Sequence, residues 1–533
     1  MAAADHEEPA GERPGRAARV RRLLLTPEAG VVAIVLVFLA ISAWWLSRDL
    51  RIVNPDNAKH INIALQWYLA LEAGNPGEPL RIYNVYPPGT HIVGALGAFL
   101  FGFKVPGVAM AQNLVFVPLL ALGCYGTARI AFGRRAGLLA AAFALGTPMV
   151  ISMFHQSLPD VPMAAMVAVT VWLLLASDRF SRVGLAAAAG LAAGLGMYTK
   201  STFVLFVVGI VAMLFLRGGW RNWRGVLVFV AVAGAVTAPY YLDQFTAIEA
   251  QATGHLTSPL PIWYDGLPYP GRGSIDNYTW YFWSLINNQL YLPLALFFFA
   301  GAVWALRRVV RAPRDSGYLP ELLVGGFVGY LAVSMLVLKD PRYTLPCLVY
   351  VAVLATGWIG QLGRRARVAA SVALAAIVVF NTAALNLGVG GVHSINLPNA
   401  VQSPIGEYAF QLANEHGYFA GPPRRQGEPL VKLLDGLADA GAKDVIFDEQ
   451  TFGSDGYHLT GLVLLSLQSR ADLPAFTPEH VRGRDTAWVV RADVEAVGRR
   501  PCLMSPLADD GTGIYVYRGR VPQDMTRATP DCP

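Results

Sequence analysis

Four short polar stretches carry the residues of this chain that could do chemistry. Two of them contain an acid, Asp56 in one and Asp160 in the other. The other two contain cations: Lys200 in one, and residues 339–343, which read Lys-Asp-Pro-Arg-Tyr, in the other. An ionised Asp can act as a general base towards a hydroxyl group, and Lys and Arg can bind a phosphate leaving group. Brought together, these residue types suit group transfer from a phosphate-linked donor.

Each stretch also has a purely structural interpretation. Asp is a common helix N-cap, so Asp56 fits a cap, and Asp160, which lies between two prolines, fits a cap or a turn. Lys and Arg near the end of a membrane span often extend to the lipid headgroups. All four stretches, however, lie on the same predicted side of a membrane, where basic residues are otherwise rare. That shared side favours a site.

The composition shows what must hold these stretches. The chain has 533 residues, of which 54% are hydrophobic and only 15% charged, against roughly 25% charged in an average soluble protein. This predicts a polytopic α-helical membrane protein with about 11 to 13 transmembrane helices. A disordered chain and a disulfide-stapled secreted scaffold are excluded. The net charge of +6 comes from Arg clusters between apolar runs, so nucleic acid is not an expected partner.

Eleven apolar runs are predicted to cross the membrane within a domain of residues 29–388. The first, Gly30–Trp45, follows a polar tail of residues 1–28 and is expected to be an uncleaved anchor, because no small-residue cleavage site follows it. The others lie at residues 107–130, 137–154, 161–177, 184–199, 202–217, 225–242, 290–306, 320–338, 345–362 and 368–388.

Arg clusters between alternate pairs of spans predict the orientation, with the polar tail in the cytoplasm of a cell. The loops at 48–88 and 243–289 are then outside, and the helix that begins near Asp56 is expected to lie on the membrane surface. Residues 89–103 are apolar but short, so they are predicted to form a short or re-entrant helix. In the alternative, they form a full span and 137–154, which contains Pro148, is the incomplete one.

Residues 389–533 are polar and are predicted to form an extracytoplasmic α/β domain that covers the site. The predicted helices lie at 430–437 and 459–467, and the predicted strands at 444–447, 487–490 and 513–517. Cys502 and Cys532 fall in this domain, where a disulfide can persist. Two separate thiols are the equally weighted alternative.

Taken in order, these motifs resemble the C-type glycosyltransferase superfamily, in particular the bacterial protein O-mannosyltransferases and the aminoarabinose transferases. The resemblance covers about residues 30–388. It rests on an acid after the first span, Tyr86-Pro87-Pro88, Leu158-Pro159-Asp160-Val161-Pro162, Thr199-Lys200 and the Lys-x-x-Arg-Tyr of residues 339–343. It implies an enzyme that transfers a sugar, with inversion, from a polyprenyl-phosphate donor to a glycan, lipid or protein acceptor at the outer face of the cell membrane.

The resemblance also implies roles for individual residues. Asp56 and Asp160 match the catalytic acids, and the weaker candidates for substrate contact are Lys59, His60, Tyr86, His155 and Tyr343. Lys339, Arg342 and Lys200 match the positions expected near the donor phosphate.

Two departures from the family pattern matter. Asn57 stands where many relatives have Glu, which leaves a divalent metal open but unsupported, and no metal ligand is predicted. Tyr86 stands where aminoarabinose transferases often have Lys, which weakens a lipid A substrate.

Two other classes of function compete with the enzyme. A transporter or lipid flippase would be expected to show an internal repeat and broken or charged segments near mid-membrane. No convincing repeat is present, and the outer charges lie at the ends of spans. A non-catalytic glycosyltransferase-like scaffold is the third alternative, and Asn57 leaves room for it.

Overall fold

The computed structural model describes residues 26–51, 53–82, 86–102, 104–257, 273–336 and 339–389, together with short segments between residues 402 and 518. Most of the predicted polar tail, the predicted helix at 459–467, and Cys502 and Cys532 lie outside these residues.

The described part of the chain is mainly helical. Its helices are α1 (Pro27–Arg48), α2 (Pro55–Glu72), α3 (Gly77–Ile82), α4 (Gly89–Phe101), α5 (Val105–Phe132), α6 (Arg134–Leu145), α7 (Pro148–Met153), α8 (Asp160–Ala176), α9 (Val183–Met197), α10 (Val204–Leu216), α11 (Trp223–Asp243), α12 (Phe245–Thr257), α13 (Ile275–Ser284), α14 (Tyr291–Arg311), α15 (Leu319–Ser334), α16 (Leu348–Gly357) and α17 (Arg364–Leu387). Short 3-10 segments lie at Ser201–Phe203, Gly219–Asn222, Pro313–Asp315, Pro341–Cys347 and Trp358–Gln361, and Leu285–Leu290 is a π-helix.

Every predicted membrane run coincides with helical structure. Among the residues that the structure describes, six helical segments are long and apolar enough to cross a membrane: Pro27–Arg48, Val105–Phe132, Gly219–Asp243, Ile275–Arg311, Pro341–Gln361 and Arg364–Leu387. Shorter apolar helices accompany them, and α4 is one of these, as predicted for residues 89–103. The multi-pass helical membrane fold is therefore confirmed, whereas the orientation of its ends stays a prediction.

The predicted span at 137–154 is not one helix but two. Helix α6 ends at Leu145 and α7 begins at Pro148, with Thr147 in an extended conformation between them. The cause is Pro148, because proline has no N–H for the helical ladder and disfavours helical geometry in the residue before it. Helices α6 and α7 together fill the predicted range, and the break at Pro148 lies where the alternative prediction for this run placed an interruption.

Helix α2, which is predicted to lie on the membrane surface, packs part of its apolar face against protein. Its apolar residues Ile61, Ala64 and Leu65 are almost completely buried, and they pack against Ala98 of α4 and Val108 of α5. An apolar helical stripe shows only that one face avoids water, and it does not say whether lipid or protein covers that face. Here, protein does. The N-terminus of α2, and with it Asp56, is thereby fixed to the bundle.

The main core surrounds α5, α8 and the segment Pro341–Gln361. That segment is the most buried of the six long ones, whereas α11 and α17 lie at the periphery. The C-terminal region contains strands β1 (Gln402–Ser403), β2 (Gly406–Glu407), β3 (Asp444–Phe447), β4 (Ala475–Phe476), β5 (Thr486–Asp493) and β6 (Thr512–Arg518). The three strands predicted at 444–447, 487–490 and 513–517 are thus confirmed.

Four of these strands form one mixed sheet in the order β4-β3-β5-β6. Strand β3 runs parallel to β4 and β5, and β5 runs antiparallel to β6. Parallel neighbours need a crossover connection, which agrees with the predicted α/β organisation. The domain boundary at Gly388 and the extracytoplasmic position stay predictions.

Candidate functional site

The four polar stretches meet at one end of the helical bundle. Arg342 Nη1 donates a hydrogen bond to Asp56 Oδ2 over 2.8 Å. Lys200 Nζ donates to Asp160 Oδ1, also over 2.8 Å. The Lys200 ammonium also lies 4.9 Å from the centre of the Tyr343 ring. Because Tyr343 directly follows Arg342, this contact connects the Lys200–Asp160 pair to the Arg342–Asp56 pair. Residues far apart in the chain therefore form one cluster.

Asp56 lies in the first turn of α2, but it is not the cap. Asn54 is the N-cap, and its side-chain oxygen accepts from the backbone N–H of Asn57 over 2.9 Å. The Asp56 carboxylate therefore takes no part in capping the helix, and 47% of its side chain is exposed. A negative charge in the first turn is also favoured by the helix dipole. The cap interpretation of Asp56 was wrong.

Asn57 fixes the first stretch to the second. Its Oδ1 accepts from the backbone N–H of Ser157 over 2.9 Å, and Asn54 Nδ2 donates to Gln156 Oε1 over 3.2 Å. Because Asn57 is almost fully buried, its neutral amide avoids the cost of burying a charge at this position. Asn57 therefore connects the two stretches without adding a charge to the cluster.

Asp160 differs from Asp56 in its surroundings. It is the first residue of α8, follows the N-cap Pro159, and is almost fully buried. Lys200, partly exposed, is its cation. A buried charge is tolerated when it is paired in this way. Asp160 is therefore a fixed anion beneath the cluster, whereas Asp56 faces its open side.

Asp340 is a member of the cluster that the sequence reasoning missed. It caps the 3-10 segment Pro341–Cys347 by accepting from the Arg342 backbone N–H over 2.9 Å. Its carboxylate also accepts from Arg342 Nε and Nη2, over 2.9 Å and 2.6 Å. The guanidinium is thus held in a two-pronged ion pair that aims its remaining Nη1 at Asp56. In the sequence, the feature that could have pointed to Asp340 is its position as an acid between two cations.

The turn that carries Lys200 is fixed by the Tyr-Pro-Pro-Gly stretch. The backbone N–H of Gly89 donates to the carbonyl oxygen of Tyr198 over 2.9 Å. A Cβ at Gly89 would lie only 2.8 Å from that oxygen, so a side chain there would force the two segments apart. The glycine therefore sets how close Lys200 approaches the cluster.

His60 and Tyr86 line the cluster on the α2 side. His60 Nε2 lies 3.7 Å from Asp56 Oδ1, and the Tyr86 ring meets the His60 ring edge-on at 5.0 Å. Lys59 Nζ lies 4.7 Å from the centre of the Tyr86 ring. Burial, and then the positive charge of Lys200, lower the pKa of His60 to about 3. The imidazole is therefore neutral at physiological pH.

Comparison with known proteins shows what this chain resembles in sequence and in fold. Residues 85–241 match the family model described as dolichyl-phosphate-mannose-protein mannosyltransferase. The crystal structure of ArnT from Cupriavidus metallidurans bound to undecaprenyl phosphate superposes with a TM-score of 0.57 at 14% sequence identity. Its apo form gives 0.55, also at 14% identity, and each comparison covers 94% of this chain and 98% of the other. The chain has the fold of a C-type membrane glycosyltransferase.

The predicted resemblance to this superfamily is thus confirmed. No curated protein matches the sequence. The family match includes Tyr86, Asp160 and Lys200 but neither Asp56 nor Arg342. Those two residues lie on either side of the matched range and come together only in the C-type fold.

Two predicted site residues of this C-type glycosyltransferase fold have other partners. The ring of His155 stacks on Trp45 at 3.7 Å and is hydrogen-bonded to Asn386 Oδ1 at 2.9 Å. Lys339 is buried, donates to the carbonyl oxygen of Ser334, and lies 5.1 Å from the Tyr281 ring. Burial lowers the pKa of Lys339 to about 7, so it is a weaker fixed charge than Arg342. The predicted roles of His155 and Lys339 stay predictions.

The charges of the cluster determine what it can bind. Three carboxylates, those of Asp56, Asp160 and Asp340, face the guanidinium of Arg342 and the ammonium of Lys200. Within the described residues, no group of three or more His, Cys, Asp or Glu side chains could hold a metal ion. The described cluster can therefore offer a carboxylate base and two cations.

Proposed function

We propose that the protein transfers a sugar from a polyprenyl-phosphate-linked donor to a cell-envelope acceptor at the outer face of the membrane, with inversion. The observation that carries the proposal is the contact between Asp56 and Arg342. It places a half-exposed carboxylate and an oriented guanidinium 2.8 Å apart at one end of the bundle. The similarity in fold to a protein whose crystal structure contains undecaprenyl phosphate supports a donor of this class.

Arg342 and Lys200 are the proposed contacts of the donor phosphate. Arg342 is held through Asp340, and Lys200 through Asp160, so both cations are fixed before the donor arrives. The phosphate would compete with Asp56 for Nη1 of Arg342. Binding of the donor would therefore release the Asp56 carboxylate at the moment when a base is needed.

Asp56 is the proposed general base. The acceptor hydroxyl gives its proton to the carboxylate while its oxygen forms a bond to the anomeric carbon of the sugar. The bond between that carbon and the phosphate oxygen breaks on the opposite face, so the configuration inverts. The leaving phosphate takes the electron pair, and the two cations stabilise its charge. Asp160 is buried and paired, so its proposed part is to hold Lys200.

The C-terminal region is the proposed cover of the site. Trp45 Nε1 at the end of α1 donates to the carbonyl oxygen of Gly421 over 2.9 Å, and Arg51 Nη2 donates to that of Pro422 over 2.8 Å. The backbone of Leu50 also exchanges hydrogen bonds with the segment 424–427. These contacts attach the C-terminal region a few residues before Asp56, which supports a part for it in acceptor choice.

The deciding experiment uses purified protein in lipid vesicles with radiolabelled polyprenyl-phosphate sugars and a cell-envelope extract. Wild-type protein is expected to move label from the lipid to an acceptor, and Asp56→Asn is expected not to. Movement of labelled lipid across the bilayer without transfer would indicate a flippase instead. Absence of both, in protein that is folded and supplied with all donors, would favour the scaffold.

A further inference from the structure

The ring of His155 is held by two side chains at the ends of two helices. Trp45, in the last turn of α1, stacks on it with ring centres 3.7 Å apart and planes within 1° of parallel. Asn386, in the last turn of α17, bonds to His155 Nε2 through its Oδ1 at 2.9 Å. All three side chains are almost fully buried. The ends of α1 and α17 therefore set the place of His155.

One short segment of the C-terminal region, residues 421–424, lies against both of these helix ends. At α1, the carbonyl oxygen of Gly421 accepts from Trp45 Nε1 over 2.9 Å. At α17, the helix is capped by Gly388, and a Cβ there would lie only 3.1 Å from Pro422 Cγ. The two helix ends that hold the histidine are thus joined to the same segment.

The turn of residues 155–157 fixes the start of α2. Asn54 and Asn57, on either side of Asp56 in the chain, each form a side-chain hydrogen bond to this turn, over 3.2 Å and 2.9 Å. Because a displacement of about 1 Å at a reacting group can cost about 10²-fold in rate, the support that this turn gives to α2 matters for a base at Asp56.

We infer that Trp45 is a positioning residue, through which the seating of the segment 421–424 on the bundle determines the placement of Asp56. With the segment seated, the hydrogen bond to Gly421 fixes the plane of the indole, and the stacked His155 ring and its turn are fixed with it. With the segment lifted, the indole loses that partner, and the start of α2 loses support. The inference rests on the proposed function, which takes Asp56 as the base and the C-terminal region as the cover.

Such a link gives the C-terminal region a part in the reaction besides acceptor choice. Closure of a cover commonly completes a catalytic arrangement and excludes water. Here the base reaches its working position only when the cover is closed, so that the sugar passes to the acceptor hydroxyl and not to water.

The competing interpretation is that Trp45 only anchors the C-terminal region. An anchor predicts that loss of the hydrogen bond loosens the segment 421–424 alone. A positioning residue predicts that the turn 155–157 and the start of α2 loosen as well.

The test compares Trp45→Phe with Trp44→Phe in the full-length protein in lipid nanodiscs. Phe at position 45 keeps an aromatic ring against His155 but has no N–H for Gly421. Trp44 is the matched control, because it is the adjacent residue and is 39% exposed. We expect Trp45→Phe to lower kcat about 10-fold, within the cost of a small misplacement, and Trp44→Phe to keep the wild-type rate. The donor KM should stay unchanged, because the two proposed phosphate-binding cations keep their own carboxylate partners.

Hydrogen exchange adds a readout that needs no activity. In Trp45→Phe, the backbone N–H groups of Asn57 and Ser157, which both bond to asparagine side chains, are expected to lose protection together with that of Arg424. In Trp44→Phe, all three should keep it. Arg51→Met is the second variant, since it removes the 2.8 Å hydrogen bond from Arg51 Nη2 to the segment 421–424 and leaves the indole intact. It should act in the same direction.

Two results in folded protein would overturn the inference. One is loss of protection at Arg424 with full protection at Asn57 and Ser157, which indicates an anchor, and the other is a wild-type kcat in a variant whose segment 421–424 has loosened. If either variant fails to fold, the other decides. If the wild type transfers no sugar from any donor, the proposed function fails, and exchange by itself still shows whether Trp45 positions the start of α2.

Discussion

Helices α8 and α10 carry a carboxylate–cation cluster at each end. At their N-terminal ends lie Asp160 and the segment of Lys200. At their C-terminal ends, Arg179 and Arg217 both pair with Glu321, at 3.8 Å and 2.6 Å. With about 1.5 Å of rise per residue, the 17 residues of α8 separate the two clusters by roughly 25 Å. Similar residue types thus meet at opposite ends of the same helices.

The two clusters differ in what they leave open. Glu321 is completely buried, and Arg217 also donates to the carbonyl oxygen of Gly317 over 2.8 Å. Asp56, in contrast, is half exposed and shares its arginine with Asp340. A fully buried carboxylate can only hold its neighbours, whereas an exposed one can exchange its partner for a substrate. Exposure rather than residue type therefore separates a structural cluster from a candidate site.

The Glu321 cluster also holds an unusual stretch of backbone. Asp178, Arg179 and Phe180 have φ values of +48°, +52° and +65°, a conformation that residues other than glycine rarely adopt. Such strain persists only where the surroundings enforce it. The ion pair of Arg179 with Glu321, and the hydrogen bond from Tyr318 to Asp178, supply that enforcement. The strained backbone is thus explained by structure alone.

The sharpest contrast is expected from replacing one carboxylate at each end by its amide. Asp56→Asn should lower turnover about 10² to 10⁴-fold, the usual contribution of a general base, with unchanged thermal stability. Asp178→Asn, at the other end of α8, is the matched control and should keep full turnover. Radiolabel transfer and thermal unfolding measure both effects. Near-normal transfer by Asp56→Asn would show that Asp56 is not the general base.

Arg342 should show the next largest effect. Arg342→Ala removes charge-assisted hydrogen bonds to the donor phosphate, each worth roughly 1.5 to 3 kcal/mol, so kcat/KM should fall about 10 to 100-fold. Arg342→Lys keeps the charge but loses the two-pronged pairing with Asp340, and it should recover only part of the loss. Donor titration separates binding from turnover. If neither changes in Arg342→Ala, the side chain is only a surface cation.

Glu321→Gln is expected to lower stability and to leave turnover unchanged, the opposite of what is expected for Asp56→Asn. It leaves Arg179 and Arg217 without their anion, and since both are partly exposed, the loss of stability should be about 1 to 3 kcal/mol, below that of a fully buried pair. Turnover per folded molecule should stay at the wild-type level. A transfer defect without a change in thermal unfolding would show that this cluster is not merely structural.

The smallest effect at neutral pH is expected for His60, whose contribution to stability changes only in acid. His60 has a folded-state pKa of about 3, against about 6.5 unfolded, so the unfolded state binds more protons between these values. The free energy of unfolding should therefore fall as the pH drops from 6.5 towards 3. His60→Asn should flatten this part of the stability profile, whereas Asp178→Asn should not. Equal acid sensitivity in wild type and His60→Asn would contradict a buried neutral ring.

Much of the fold was predictable because it depends on local patterns. Apolar runs near bilayer length located the helices, and short apolar stretches located β3, β5 and β6. Hydropathy does not reveal the break in the helix before Pro148. The proline ring restricts the backbone of Thr147 whether or not the surrounding residues are apolar. Likewise, the apolar face of α2 predicted burial correctly but not the partner that covers it.

The sequence by itself determined which residues could do chemistry and in which order they occur. Only the tertiary structure decided that Arg342 contacts Asp56 across 286 positions, that Asp340 aims that guanidinium, and that His60 meets His91. It also placed Lys339 against Ser334. The physical reason for this division is that hydropathy is a property of a single segment of the chain. Ion pairs and shared hydrogens, in contrast, need atoms of separate segments within about 3 Å, a distance that only the packing of helices can set.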